Sequence, residues 1–203
     1  MHNPELRTSP KPLQPALPPK NIAIIGGGPA GLEAARICAM RGHSVTLYEA
    51  STRLGGQLAY WAQSSSMTEL GRIITWRESE LTRLGARIEL GRKSLPLELT
   101  QAFADEIIIA TGATDVTREL RCDSAVSIIT PRQLLDSSSL SVSNAIVISD
   151  GRGQAGLVCA EYLVTKGAKV EIVTEDVAVA NDLDPTNRNA WYERLGRSGV
   201  ILT

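Results

Sequence analysis

Apolar and polar positions alternate between two textures along this chain. A short apolar run from Asn21 to Ile25 reads as a β-strand, and a glycine turn follows it. From Ala30 to Met40 the apolar positions take helical spacing, Gly42 breaks it, and Ser44 to Glu49 reads as a second strand. This is a βαβ unit. Leu70, Ile73, Ile74, Leu81 and Leu84 then recur at helical spacing, which predicts a helix from Thr68 to Leu84 closed by Gly85, with its stripe packed on a sheet. Strands are predicted at Arg87 to Leu90 and at Glu106 to Ala110. The second carries the continuous run Ile107, Ile108, Ile109 expected of a parallel strand covered on both faces.

The same texture then repeats at a constant offset of 125 residues. Gly26, Gly28, Gly31 and Gly42 recur as Gly151, Gly153, Gly156 and Gly167, while Ala30, Leu32 and Val45 recur as Ala155, Leu157 and Val170. The second unit opens with a strand from Ala145 to Ile148. It continues through a helix (Leu157 to Lys166), a strand (Lys169 to Thr174), a helical stretch from about Asn187 to Arg197 and the start of a strand at Val200. The pattern predicts an α/β protein: a Rossmann-like nucleotide-binding fold, a parallel sheet with helices, plus an incomplete second Rossmann-like unit. The boundaries expected are a proline-rich linker over residues 1–20, a first nucleotide-binding domain over 21–116 and a partial second domain over 117–203. A complete second domain would need more strands, so another polypeptide or a missing half is expected to finish it.

Composition narrows the function. The charges nearly cancel, 21 Lys and Arg against 22 Asp and Glu, and the basic residues are scattered, which disfavours nucleic acid as a partner. No apolar run approaches the roughly 18 residues that would cross a bilayer, so no membrane insertion is expected. Met1 to Lys20 lacks the apolar centre of a signal peptide, and a cytoplasmic location is the expectation. Six of the ten prolines fall in that segment, which predicts an extended linker. Cys38, Cys122 and Cys159 form no CxxC pair, and two of them fall in predicted helices, where buried, inert thiols are expected. With only His2 and His43 as imidazoles there is little material for a metal site or a catalytic triad. No metal site and no catalytic residue are assigned.

The chemistry sits in the first glycine turn. Gly26-Gly27-Gly28-Pro29-Ala30-Gly31 carries GxGxxG between a strand and a helix, and Glu49 ends the next strand 18 residues after Gly31. Gly26 permits the tight turn, Gly28 lets the backbone approach a diphosphate, and Gly31 lets helix and strand pack closely. Pro29 and Ala30 open a helix whose N-terminal amides suit phosphate, and Glu49 can accept hydrogen bonds from ribose hydroxyls. The spacing predicts a dinucleotide or its ADP moiety.

The second turn, Gly151, Gly153 and Gly156, keeps the glycines but changes the charges. Asp150 precedes the first glycine, and a carboxylate about 5 Å from a phosphate costs roughly 3 kcal/mol at an effective dielectric near 20. Thr174 stands where Glu49 stands in the first unit, which forfeits about 1.5–3 kcal/mol of charged hydrogen bonding to ribose. Arg152 offsets part of this. A weak or vestigial second site is expected, with NADH as the disfavoured alternative and NADP argued against by Glu175.

Two further segments, Arg53-Leu54-Gly55-Gly56-Gln57-Leu58 and Ala110-Thr111-Gly112, resemble motifs of the two-dinucleotide-binding-domain flavoproteins. There a GG motif after the second strand lies along the flavin nucleotide and an ATG segment closes the flavin domain. The resemblance therefore implies FAD, with ADP as the alternative, and implies further contacts from Ala50, Arg53, Gly55, Gly56, Gln57, Leu58, Ala110, Thr111 and Gly112. GGGPAGLEAAR (Gly26 to Arg36), GGQL (Gly55 to Leu58), Trp76, and the second unit's Asp150-Gly151, Ala160-Glu161 and Val173-Thr174 resemble the C-terminal half of a narrower group. That group holds trimethylamine dehydrogenase, histamine dehydrogenase and dienoyl-CoA reductase, and the tail Asn3-Pro4-Glu5 is similar to its sequence after the last cluster cysteine. The resemblance implies an FMN-bearing barrel and a four-iron cluster in a partner subunit or missing N-terminal half. It also implies a flavin-dependent oxidoreductase acting on methylated amines, betaines or enoyl-type substrates. The rival readings are a non-catalytic ADP-binding assembly module and an NADH-dependent flavin reductase.

Overall fold

A computed structural model of the chain describes residues 13–92, 104–116, 120–121, 126–137, 141–151 and 153–203. The Asn3-Pro4-Glu5 motif and Cys122 lie outside the described residues. Two compact units divide the chain: residues 1–56 with 73–112, and residues 57–72 with 113–203.

The first unit is a four-stranded parallel sheet. Its strands are β1 (Asn21–Ile25), β2 (Ser44–Tyr48), β3 (Arg87–Glu89) and β4 (Glu106–Ile109), in the order β3-β2-β1-β4. Ile22 pairs with Val45 and Glu106, and Leu47 with Ile88, a register that turns Ile22, Ile24, Val45 and Leu47 into the core. Helix α1 (Pro29–Met40) adds Leu32 and Ala35. Pro29 suits the first helical position because its fixed φ is already helical and its missing N–H would be unpaired there anyway. Helix α3 (Leu70–Arg83) adds Leu81 and the partly buried Ile74, while Ile73 stays exposed, so its stripe is narrower than its periodicity predicts.

β4 corrects one expectation. Its isoleucine run is not covered on both faces: Ile109 is 72% exposed, and among the described residues β4 lies at the sheet edge and pairs only with β1. The chain before β1 is tied to this unit, since the Ala16 N–H donates to the Arg41 carbonyl at 2.8 Å and Ala16 is buried.

The second unit holds a three-stranded parallel sheet, β5 (Asn144–Ser149), β6 (Lys169–Thr174) and β7 (Ile201–Leu202), in that order. Helix α5 (Ala155–Thr165) buries all seven residues from Leu157 to Leu163. Helix α6 (Pro185–Arg197) adds Trp191 and Leu195, and its N-cap Asp184 accepts from the Asn187 N–H at 3.1 Å. Two short helices that periodicity did not signal complete the unit, α2 (Gln57–Trp61) and α4 (Pro131–Asp136). Thr130 and Gln133 form a reciprocal capping box at the start of α4, which fixes Leu134 and Leu135 in the core.

Candidate functional site

The first glycine turn is built by contacts that leave no space for side chains at its first and last glycines, Gly26 and Gly31. Gly26 has φ +111°, and a Cβ there would stand 2.3 Å from the Ala110 carbonyl oxygen. At Gly31 a Cβ would come within 1.8 Å of the Gly26 carbonyl oxygen. These two positions press turn, helix and β4 end together, as the sequence argument required. Gly28 is the N-cap of α1, extended at φ −74° and ψ 179°, with no side chain capping the helix. The first-turn amides of α1 thus keep the unpaired donors of a helix N-terminus, where anions are stabilised.

A second loop meets the first backbone to backbone. Gly56 has φ +52°, and a Cβ on it would lie 3.0 Å from the Gly28 Cα. The Gly55 N–H donates to the Gly27 carbonyl at 2.8 Å, and Leu54 is buried beside Gly27. Gly28 and Gly56 together form a side-chain-free cradle.

Glu49 ties the loops together. One carboxylate oxygen accepts from the Gly27 N–H at 2.6 Å and the other from the Ser51 N–H at 2.7 Å. Sequence reasoning gave Glu49 a ribose-binding role and missed this bracing one. The two are compatible, because each carboxylate oxygen accepts more than one hydrogen bond. Arg53 and Ala50 are exposed beside it, as are Thr111 and Gly112 after β4.

Gln57 and Leu58 belong to the other compact unit. There the Gln57 amide donates to the Ala113 carbonyl at 3.2 Å, and the Arg132 guanidinium donates to the same oxygen at 2.8 Å.

The second turn is built differently despite its matching glycines. Gly151 has φ +78°, and a Cβ there would stand 2.4 Å from the Asp176 Cβ. Gly153, the counterpart of Gly28, sits at φ +63°, and its N–H donates to the Asp182 carboxylate at 2.7 Å. The helix also starts one position later in the repeat register, with Gln154 as N-cap. Sequence reasoning named Asp150 and Thr174 but missed Asp176 and Asp182, which the turn reaches only through folding.

The remaining residues singled out in the sequence are held by packing or polar contacts. Cys159 is 4% exposed, and burial, with the Asp115 carboxylate nearby, pushes its thiol up to about 12. Burial also raises the half-buried Cys38 thiol. His43 Nδ1 accepts from the Lys20 N–H at 3.1 Å. Trp76 lies half exposed between the guanidiniums of Arg36 and Arg77, 5.5 and 5.6 Å from its ring. Among the described residues no helix is long and apolar enough to cross a membrane.

Comparison with known proteins gives a consistent picture. The family described as pyridine nucleotide-disulphide oxidoreductase matches residues 20–202. An N,N-dimethylglycine/sarcosine dehydrogenase of Chromohalobacter salexigens is 31% identical over 92% of this chain and 28% of its own length. A probable N-methylproline demethylase of Rhizobium meliloti is 32% identical over 91% of this chain and 27% of its own length. The structure of histamine dehydrogenase from Rhizobium sp. 4-9 superposes with a TM-score of 0.75 at 25% identity, over 91% of this chain and 30% of that one. The chain thus spans under a third of the length of these relatives.

Proposed function

Because the chain belongs to the pyridine nucleotide-disulphide oxidoreductase family, we propose that it is the dinucleotide-binding portion of a flavin-dependent oxidoreductase acting on methylated amino compounds. The observation that carries the reading is the first turn. An uncapped N-terminus of α1 adjoins a cradle in which Gly28 and Gly56 approach without side chains. That donor set fits the diphosphate of FAD, or of ADP in its place. Gly26, Gly28, Pro29, Ala30 and Gly31 would hold the diphosphate, Glu49 and Ala50 the adjoining ribose, and Arg53, Gly55, Gly56, Ala110, Thr111 and Gly112 the rest of the nucleotide. When bound, the flavin supplies the electron-carrying chemistry.

This chain's own residues position the nucleotide. Glu49 holds the Gly27 and Ser51 amides and so fixes the shape of the loop. The substrate class is supported by the two similar proteins named for dimethylglycine or sarcosine and for N-methylproline. Substrate oxidation falls to the part of the enzyme that this chain does not span, an FMN- and cluster-bearing half or a partner subunit.

Visible absorption and mass spectrometry of the purified protein test the reading. A yellow protein releasing FAD on denaturation is expected. A colourless protein releasing ADP would replace it with the assembly-module reading, and a protein releasing no nucleotide would end both. Glu49→Ala should weaken nucleotide binding by roughly 10- to 100-fold, as expected for loss of one charged hydrogen bond, whereas Thr174→Ala should change it little. Equal effects in a binding titration would contradict the ranking of the two turns.

A further inference from the structure

The repeat puts two glycine turns of like sequence in one chain, so each serves as a control for the other. At the first, Gly28 is extended and no side chain caps α1. At the second, the matching Gly153 lies in the left-handed region and its N–H is already held by a carboxylate, Asp182 Oδ1, at 2.7 Å. The first glycines differ in the same way. Gly26 abuts main chain at Ala110, whereas Gly151 abuts the Asp176 side chain so closely that a Cβ would lie 2.6 Å from its Oδ2. The Asn181 N–H, next to Asp182, donates to the Gly151 carbonyl at 2.7 Å and holds this segment against the turn.

A carboxylate on a turn amide occupies the position an oxyanion would take, and it carries the same charge sign. An incoming diphosphate would have to displace Asp182 from Gly153 and then sit near Asp176 and Asp182, with Asp150 adjoining Gly151 in the chain. Asp150, Asp176 and Asp182 are all exposed, and like charges at such short range repel even across water. We propose that Asp182 is an internal occupant of the anion position of the second turn. Together with Asp176 packed on Gly151, it bars nicotinamide dinucleotides from the second unit. That unit then serves as scaffold, and nucleotide binding is left to the first turn. The inference rests on residues separate from those of the first turn and goes beyond the function proposed there.

Calorimetric titration of the whole chain with NADH tests it, comparing the unsubstituted protein with Asp182→Ala and with the double variant Asp176→Ala/Asp182→Ala. The double variant should take up one NADH per chain more than the unsubstituted protein, and Asp182→Ala alone should bind NADH at least about tenfold more tightly at the second turn. The proposal is overturned if the unsubstituted protein, with its first turn filled by FAD or saturated with ADP, already binds one NADH per chain. It is equally overturned if variants with native circular dichroism bind the same number with the same affinity. Amide hydrogen exchange gives a reading that needs no ligand: Gly153 should exchange at least about tenfold faster in Asp182→Ala, and unchanged protection would sink the proposal. Titration of the same samples with ADP reads the first turn separately, so its failure would count against the proposed function and leave the second-turn result standing.

Discussion

Single residues carry the sharpest demands in this protein. Gly31 is the strictest, because its missing Cβ is what lets α1 reach the Gly26 carbonyl. Gly31→Ala should lower stability by about 1–3 kcal/mol, the usual cost of forced overpacking, and weaken nucleotide binding with it. Denaturant unfolding checks this, and an unchanged midpoint would contradict the close packing. Cys159 makes the opposite kind of demand, for inertness. A thiol pushed up to about 12 by burial holds almost no thiolate at pH 8. Peptide mapping after brief alkylation of the folded protein at pH 8 should therefore find Cys159 unmodified, and after unfolding find it fully modified. Gly26 and Gly31 were legible in the sequence because a backbone clash excludes every other residue type at those two positions. Asp182 was not, since it lies 29 residues from the Gly153 amide it accepts from.

Elements repeat that contrast. β1, β2, β6 and the long helices follow from periodicity, to within a residue or two at their ends, because each presents enough turns or alternations to define a face. Five-residue α2 and six-residue α4 are too short to establish a period. The signal available for α4 was local, a threonine, a proline and a glutamine at capping-box spacing. Thr130→Ala removes the side-chain acceptor for the Gln133 N–H and should cost about 1 kcal/mol. Loss of this cap should show as a lower thermal midpoint, and an unshifted one would mean that Leu134 and Leu135 hold α4 without it. β4 shows where composition misleads: three consecutive isoleucines suggest burial on both faces, yet strand order, which no local pattern encodes, places them at an edge.

At the scale of the whole molecule, the second compact unit is tied together by a buried charge. Glu161, 6% exposed on α5, accepts from the Ser64 hydroxyl and from the Ser66 hydroxyl at 2.7 Å, and pairs with Arg194 Nε at 2.9 Å. The 57–72 segment is thereby fastened to α5 and α6. Burial alone would raise the Glu161 carboxyl, but the Ser64 and Ser66 hydrogen bonds and the Arg194 charge outweigh it and hold it below the usual carboxylate range. A group depressed by folding adds stability above its unfolded value, near 4.3, and that contribution is lost as pH falls through the lower folded value. Acid unfolding should therefore steepen below about pH 4, and Glu161→Gln should flatten that part of the profile while lowering stability at pH 7 by about 1–3 kcal/mol. An unaltered acid limb would remove Glu161 from this role. The sequence by itself determined the α/β class, the repeat and the first glycine turn, because periodicity and glycine sterics act between near neighbours. Only the tertiary structure decided that β4 is an edge, that Glu161 clasps Ser64 and Ser66, and that Asp182 fills the second turn. Each of those depends on groups brought together from distant parts of the chain, and hydrogen bonding and charge act over a few ångströms of space, whatever the separation in sequence.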